Sequence, residues 1–225
     1  MEPFLTVSGR RGAMLSHKFF NLLKKFMLVS YYIKGRVEAG CDEAGRGCLA
    51  GPVVAAAVIL PSDFENNMLN DSKKLTHNQR IHLRFVIEKE ALAWAFAVVS
   101  NREIDRLNIL NASFVAMNRA VQKLTIAPEH LLIDGNRFRS QTEIPYTCIV
   151  KGDGRFCSIA AASVLAKTYR DEFMEKIHAE FPCYGWNRNK GYPTKMHREA
   201  IVLYGTTKYH RLSFRLINQQ MRLEF

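Results

Sequence analysis

The chain has 225 residues, 48% hydrophobic and 24% charged, which are ordinary globular proportions. That excludes a disordered tail, a collagen and a disulfide miniprotein. No apolar run reaches the ~18 residues of a membrane span, so no membrane association is expected. The net charge is +11, from 32 Lys and Arg against 21 Asp and Glu. Residues 1–40 hold seven basic and two acidic groups, residues 181–225 hold eight and two, and the middle balances at seventeen of each. A neutral, acid-containing body between basic ends suits a polyanion held by the ends and worked on by the middle, and a solvated basic surface gives the same balance. The cysteines (Cys41, Cys48, Cys148, Cys157, Cys183) are odd in number and form no CxxC pair. They read as reduced thiols in a cytoplasmic protein, not as a zinc site.

In chain order, residues 1–13 show no periodicity and read as a flexible leader, with Met14 as an alternative start. Residues 14–33 carry helical spacing at Phe20, Leu23, Phe26 and Met27, giving an N-terminal helical segment over 14–35. Arg36 to Asp42 is a strand candidate ending in two acids. Pro52 to Leu60 is a continuous apolar run of strand length, which implies burial on both faces. Leu75 to Lys89 reads as a helix opened by Thr76, Ala91 to Ser100 as a third strand, and Ile104 to Leu124 as one helix. Glu129 to Asp134 and Tyr146 to Val150 complete the strands. Ser158 to Ile177 is a long helix, and His197 to Tyr204 and Leu212 to Leu223 are shorter ones. Three early strands followed by strands alternating with helices predict an α/β fold with a mixed sheet covered by helices.

The candidate chemistry lies at the strand ends. Asp42 and Glu43 are adjacent, and neighbouring strand residues point to opposite faces. Both reach one site if the strand stops there and turns at Gly45-Arg46-Gly47. Asp134 also ends a strand before a glycine, and Asp153 lies just beyond the fifth strand. Ligands of open α/β sheets gather at such ends. Four carboxylates brought together repel unless protons or cations join them, and hard oxygen donors suit Mg²⁺ or Mn²⁺. Each acid taken singly reads more readily as a helix cap or a salt-bridged surface group, whereas four together at strand ends point to a shared site.

The stretch Cys41-Asp42-Glu43-Ala44-Gly45-Arg46-Gly47-Cys48-Leu49-Ala50-Gly51-Pro52-Val53-Val54 resembles the opening signature of the type 2 ribonuclease H family, in its bacterial ribonuclease HII branch. The resemblance continues through Asp71-Ser72-Lys73-Lys74-Leu75, Leu132-Ile133-Asp134-Gly135-Asn136, Lys151-Gly152-Asp153, Ala160 to Lys167 and Arg170-Asp171. It ends with Lys190-Gly191-Tyr192, Thr194-Lys195, His197, His210-Arg211 and Ser213-Phe214, so it spans about 36–216 in order.

The resemblance implies a ribonuclease H-like mixed five-stranded sheet over 36–180 as the catalytic domain. It also implies a small helical region over 181–225 that contributes to substrate binding. Asp42, Glu43, Asp134 and Asp153 match the family's catalytic, metal-binding acids, with Asp171 as the rival for the fourth place. The implied cofactor is Mn²⁺ or Mg²⁺, two ions with substrate bound. Gly45-Arg46-Gly47 matches the loop that senses the ribose 2′-hydroxyl, and Tyr192 the tyrosine that packs on the sugar beside the scissile phosphate. The implied activity is endonucleolytic cleavage of RNA in RNA–DNA hybrids and at single ribonucleotides embedded in duplex DNA, leaving 3′-hydroxyl and 5′-phosphate ends; separately, the chain is expected to act as a monomer. The chain departs from the pattern at Cys41, Cys48 and Arg215-Leu216, where an aliphatic residue, a proline and a following proline are usual.

The residues support these roles physically. The 2′-hydroxyl both donates and accepts a hydrogen bond, and a glycine-flanked turn brings backbone groups close to it. Arg46 can hold an adjacent phosphate with its planar fork. Tyr192 can offer a flat ring to a sugar, or be an ordinary packed tyrosine. Lys73, Lys74, Lys167 and Lys195 are candidate phosphate contacts or solvated surface groups. Asp171 reads as the polar end of the long helix, paired with Arg170 or Lys167.

Overall fold

The computed structural model describes residues 28–69 and 75–217. The predicted leader, residues 14–27 of the first helix, Lys73, Lys74 and the last part of the final helix lie outside those residues. Five strands form one sheet: β1 (Glu38–Ala44), β2 (Val53–Ile59), β3 (Ala93–Val99), β4 (His130–Asp134) and β5 (Tyr146–Ile149). Their order is β3-β2-β1-β4-β5. The first three pair antiparallel, while β4 lies parallel to β1 and β5 parallel to β4. β1, β4 and β5 therefore end at the same edge, and that edge carries Asp42, Glu43 and Asp134. β2 is buried along its whole length, as its unbroken apolar run requires.

Helices cover both faces. On one side lie α1 (His77–Glu90) and α4 (Cys157–Glu180), on the other α2 (Asn101–Leu107) and α3 (Ile109–Gln122). Ala56 and Val58 face Ala161 and Leu165 of α4 with Leu83 and Ile87 of α1, while Ala55 and Ala57 face Ala116, Met117 and Ala120 of α3. α1 opens on the predicted Thr76, whose hydroxyl accepts from the Gln79 N–H in a capping box.

The single helix expected over 104–124 is two. Asn108 takes φ +63° and its side chain caps α3 by accepting from the Asn111 N–H at 3.1 Å. Asparagine tolerates positive φ and competes for backbone donors, so it ends one helix and starts the next. The described part of the first predicted helix, 28–35, is not helical. There Val29 donates to the Arg155 carbonyl at 2.8 Å and accepts from the Cys157 N–H at 2.9 Å, so its backbone serves the start of α4. Residues 212–217 are also non-helical, because the Arg215 and Leu216 carbonyls point at the Arg198 guanidinium.

α4 reaches β1 because its first ten residues are small or apolar and Gly40 has no side chain beneath them. A Cβ on Gly40 would run into the backbone of Ser158 and Ile159. Gly40→Ala is expected to lose on the order of 3 kcal/mol, or ~6–12 °C in melting temperature for a chain of this size. Thermal melting by circular dichroism checks it, and an unchanged midpoint would contradict the close packing.

After α4 the chain forms a short α5 (Trp186–Asn189) and α6 (Lys195–Tyr204). Trp186 is fully buried, stacked on Tyr184 with ring centroids 5.0 Å apart. Around it pack Met174 and Ile177 of α4 and Leu49 and Ala50 of the loop after β1. The C-terminal region is thereby seated on the loop that leaves β1.

Candidate active site

β1 runs through both acids to Ala44, so the expected turn comes two residues after Glu43. The Asp42 carboxylate turns back to accept the Glu43 N–H at 2.7 Å. The strand register sets Cys41 opposite Ile133 and Asp134 opposite Ile149, which places Asp134 beside the Asp42 end of β1. Asp134 accepts the Gly152 N–H at 2.8 Å. That bond ties the β4 end to the short 3₁₀ turn Gly152–Gly154, which carries the buried Asp153.

The acids act on one another. Burial, then the charges of Glu43 and Asp134, push the Asp42 carboxyl up to about 7 against the pull of Lys167 and a Ser163 hydrogen bond. Burial also raises Glu43, opposed first by Arg46, with Asp134 raising it further. This is a cluster of like charges held in low dielectric, which a cation between them would relieve. The donor set, carboxylate oxygens without Cys or His, fits a hard divalent cation in kind. Among the described residues no group of three or more His, Cys, Asp or Glu side chains is already assembled to hold a metal.

The remaining expected residues divide. Arg46 pairs with Glu43 at 3.0 Å, so its fork faces an acid of the cluster. Lys167 donates to the Ser163 hydroxyl at 2.7 Å and stabilises the charges of Asp42 and Glu43. It sits within the acid cluster. Tyr192 is half exposed, with its ring beside Gly47. A cleft of about 200 Å³ opens between Gly45, Lys167, Asp171, Lys190 and Tyr192. Lys195 stands in the first turn of α6 with its side chain 84% exposed, 3.7 Å from Glu199.

Asp171 makes no ion pair with Arg170 among the described residues. Its carboxylate lies 3.7 Å from Arg80 of α1, because Arg170 is turned into the protein. The basic C-terminal end is also less available than its charge count suggests. Lys190 and Lys208 are held by Glu175 and Glu180 at 2.8 and 3.0 Å. Arg198 and Arg211 are hydrogen-bonded to backbone carbonyls.

Sequence reasoning missed Arg170 and Arg211. Each is buried and hydrogen-bonded to main-chain carbonyls of the loop that follows β1. For Arg170 a signal existed: it stands four residues from Ala166 and from Met174, on the buried face of α4. Ser163, between Lys167 and Asp42, was equally unread.

Comparison with known proteins agrees with this arrangement. The ribonuclease HII family profile matches residues 39–217. The chain is 64% identical over 200 residues to ribonuclease HII of Bacteroides thetaiotaomicron, covering 88% of this chain and 100% of that protein. It is 59% identical over 198 residues to that of Christiangramia forsetii, with shares of 88% and 100%. In fold it is similar to ribonuclease H2 of Pyrococcus horikoshii (TM-score 0.66, 24% identity, 80% of this chain and 94% of that one). It is likewise similar to Bst-RNase HIII in complex with Mn²⁺ (TM-score 0.65, 20% identity, 95% and 74%). With the sheet order, the acids at its shared edge and a profile match over most of its length, the chain belongs to the ribonuclease HII family and is a ribonuclease H, a nuclease of the hydrolase class.

Proposed function

We propose that the protein cuts the RNA strand of RNA–DNA hybrids, and duplex DNA at single embedded ribonucleotides, leaving 3′-hydroxyl and 5′-phosphate ends. The observation that carries the reading is the coupling of Asp42, Glu43 and Asp134 at one sheet edge, with Asp42 pushed up to about 7 by burial and those neighbours. Asp42, Glu43, Asp134 and Asp153 would hold Mg²⁺ or Mn²⁺. Bound there, two such cations supply charge stabilisation and an activated water for phosphodiester hydrolysis.

The chain's own residues do the rest. Asp42 and Glu43 are held by the Ser163 hydroxyl, Lys167 and Arg46. Asp134 is fixed by the Gly152 N–H. Arg46, now on Glu43 with its side chain 51% exposed, is free on its outer side to meet a phosphate as substrate arrives. The Gly45-Arg46-Gly47 backbone faces the ribose, and the half-exposed Tyr192 ring lies alongside to pack on the sugar. Lys195 adds sequence-independent phosphate attraction.

The test is a duplex with one embedded ribonucleotide, incubated with Mn²⁺, with Mg²⁺ and with EDTA. Cleavage at the ribonucleotide that leaves 3′-hydroxyl and 5′-phosphate ends, present with metal and absent with EDTA, is expected. Cleavage only of long RNA tracts would remove the embedded-ribonucleotide part of the reading. Binding without cleavage under every metal would remove the enzyme's proposed chemistry.

Lys195→Ala is expected to weaken duplex affinity by less than about threefold at fixed salt, because Lys195 contributes a single screened contact. It should leave the rate at saturation unchanged. Titration of duplex binding at two salt concentrations checks it, and a large loss of saturated rate would place Lys195 at the reacting centre.

A further inference from the structure

Arg170 and Arg211 are 2% and 0% exposed, and neither forms a salt bridge among the described residues. Their hydrogen bonds go to main-chain carbonyls. Arg170 donates to Pro52 at 3.0 Å, Ala50 at 3.2 Å and Lys190 at 2.9 Å. Arg211 donates to Gly51 at 2.9 Å, Pro52 at 3.0 Å and Arg46 at 2.9 Å. One guanidinium thus grips the loop after β1 and the residue two before Tyr192. The other grips the same loop at both of its ends. The backbone completes the junction: Leu49 donates to Gly191 at 2.8 Å, and Arg211 donates to Leu49 at 2.8 Å. The fit is tight, since a Cβ at Gly45, which has φ +95°, would strike the Arg170 guanidinium.

Two guanidiniums buried without a carboxylate are a poor route to stability. Desolvating a charge is costly, and apolar residues of similar volume fill such space as well or better. Burial lowers the hold of Arg211 on its proton, to about 10. What a planar fork supplies that an apolar side chain cannot is direction: it fixes several carbonyls at set angles at once.

We propose that Arg170 and Arg211 are positioning residues that hold the Gly45-Arg46-Gly47 loop at a fixed spacing from Tyr192, and so set how a ribose is seated for cleavage. The proposal rests on the reading of that loop and Tyr192 as the sugar-contacting elements. Lysine keeps the charge at either position but is a point donor and cannot bridge three carbonyls.

The experiment is Arg211→Lys and Arg170→Lys, alone and combined with Tyr192→Ala. It measures folding by thermal melting, Kd for a duplex with one embedded ribonucleotide, and single-turnover kcat at saturation. Each lysine variant is expected to fold, to keep Kd within about threefold, and to lose on the order of 30–100-fold in kcat, as a displacement near 1 Å would produce. Added to Tyr192→Ala, either change should cost less than about threefold more, because the spacing no longer matters once the ring is gone.

A wild-type kcat in both folded lysine variants overturns the proposal, and so do losses that multiply fully with Tyr192→Ala. If Tyr192→Ala itself keeps wild-type kcat, the sugar-contact reading fails first and the proposal falls with it. If Tyr192→Ala is slow and the lysine variants are not, the proposal alone falls. Should Arg211→Lys not fold, Arg170→Lys carries the same test. Failure of both to fold overturns the proposal in favour of a purely structural role.

Discussion

Replacing Asp134 with asparagine is expected to abolish cleavage and leave the fold intact. Asp134 ends β4 beside the Asp42 end of β1, and its charge is one of those that raise Asp42 and Glu43. Asparagine has the same shape, and its side-chain oxygen can still accept the Gly152 N–H now held at 2.8 Å. The tie between β4 and the turn carrying Asp153 therefore survives. What is lost is one negative charge facing the cations. Cation stabilisation is worth several kcal/mol in the transition state and each ~1.4 kcal/mol is tenfold in rate, so activity should fall below about a thousandth of wild type. Stability should hold or rise, because a carboxylate leaves a mutually repelling group. Activity and melting temperature therefore part company, which a merely destabilising change would not produce. Calorimetric titration with Mn²⁺ should show weaker binding. A variant that retains more than a tenth of the wild-type rate at saturating metal would remove Asp134 from the catalytic acids.

That Asp42, Glu43 and Asp134 stand together was legible because each lies at the end of a strand-length segment, and the parallel pairing of β1 with β4 is a common consequence of a helical crossover. The Ala-rich start of α4 was legible for the same reason: its apolar residues recur at helical spacing. The break at Asn108 was not, since Leu110, Phe114, Met117 and Val121 stay in register on its C-terminal side and Ile104 on the other. A single residue with positive φ leaves no mark on that periodicity. The roles of Arg170 and Arg211 were hidden for a different reason. Their carbonyl partners lie 118 and 160 residues away in sequence, and a bond to a backbone carbonyl carries no side-chain signature. Charge counting misled at the C-terminal end, because ion pairs hold Lys190 and Lys208 and Arg211 is buried. Of the two partners expected for Asp171 on its own helix, Arg170 is adjacent, and i,i+1 side chains diverge around the axis: Arg170 turns inward and Asp171 lies near Arg80.

Tyr192→Ala is expected to slow cleavage at a single embedded ribonucleotide far more than it weakens binding. The ring is half exposed beside Gly47, while its backbone is pinned: its N–H donates to Asn189 at 2.8 Å, and the His197 ring donates to its carbonyl at 2.9 Å. His197 is itself buried and accepts from the Trp186 indole at 3.0 Å, which leaves its other nitrogen protonated towards Tyr192. The side chain is thus presented from a fixed backbone, and its removal leaves that backbone in place. Affinity, which comes mainly from phosphate contacts, should change little. The seated sugar should shift, and ~1 Å at the scissile phosphate costs on the order of 100-fold in kcat. Tyr192→Phe separates ring from hydroxyl. Packing on a sugar needs the flat ring and not the hydroxyl, so phenylalanine should keep most of the rate. The measurement is kcat and Kd for wild type, Ala and Phe on one duplex at one salt concentration. Equal damage in Phe and Ala would make the hydroxyl the working part and refute packing on the sugar. Wild-type rates in both would make Tyr192 an ordinary surface tyrosine.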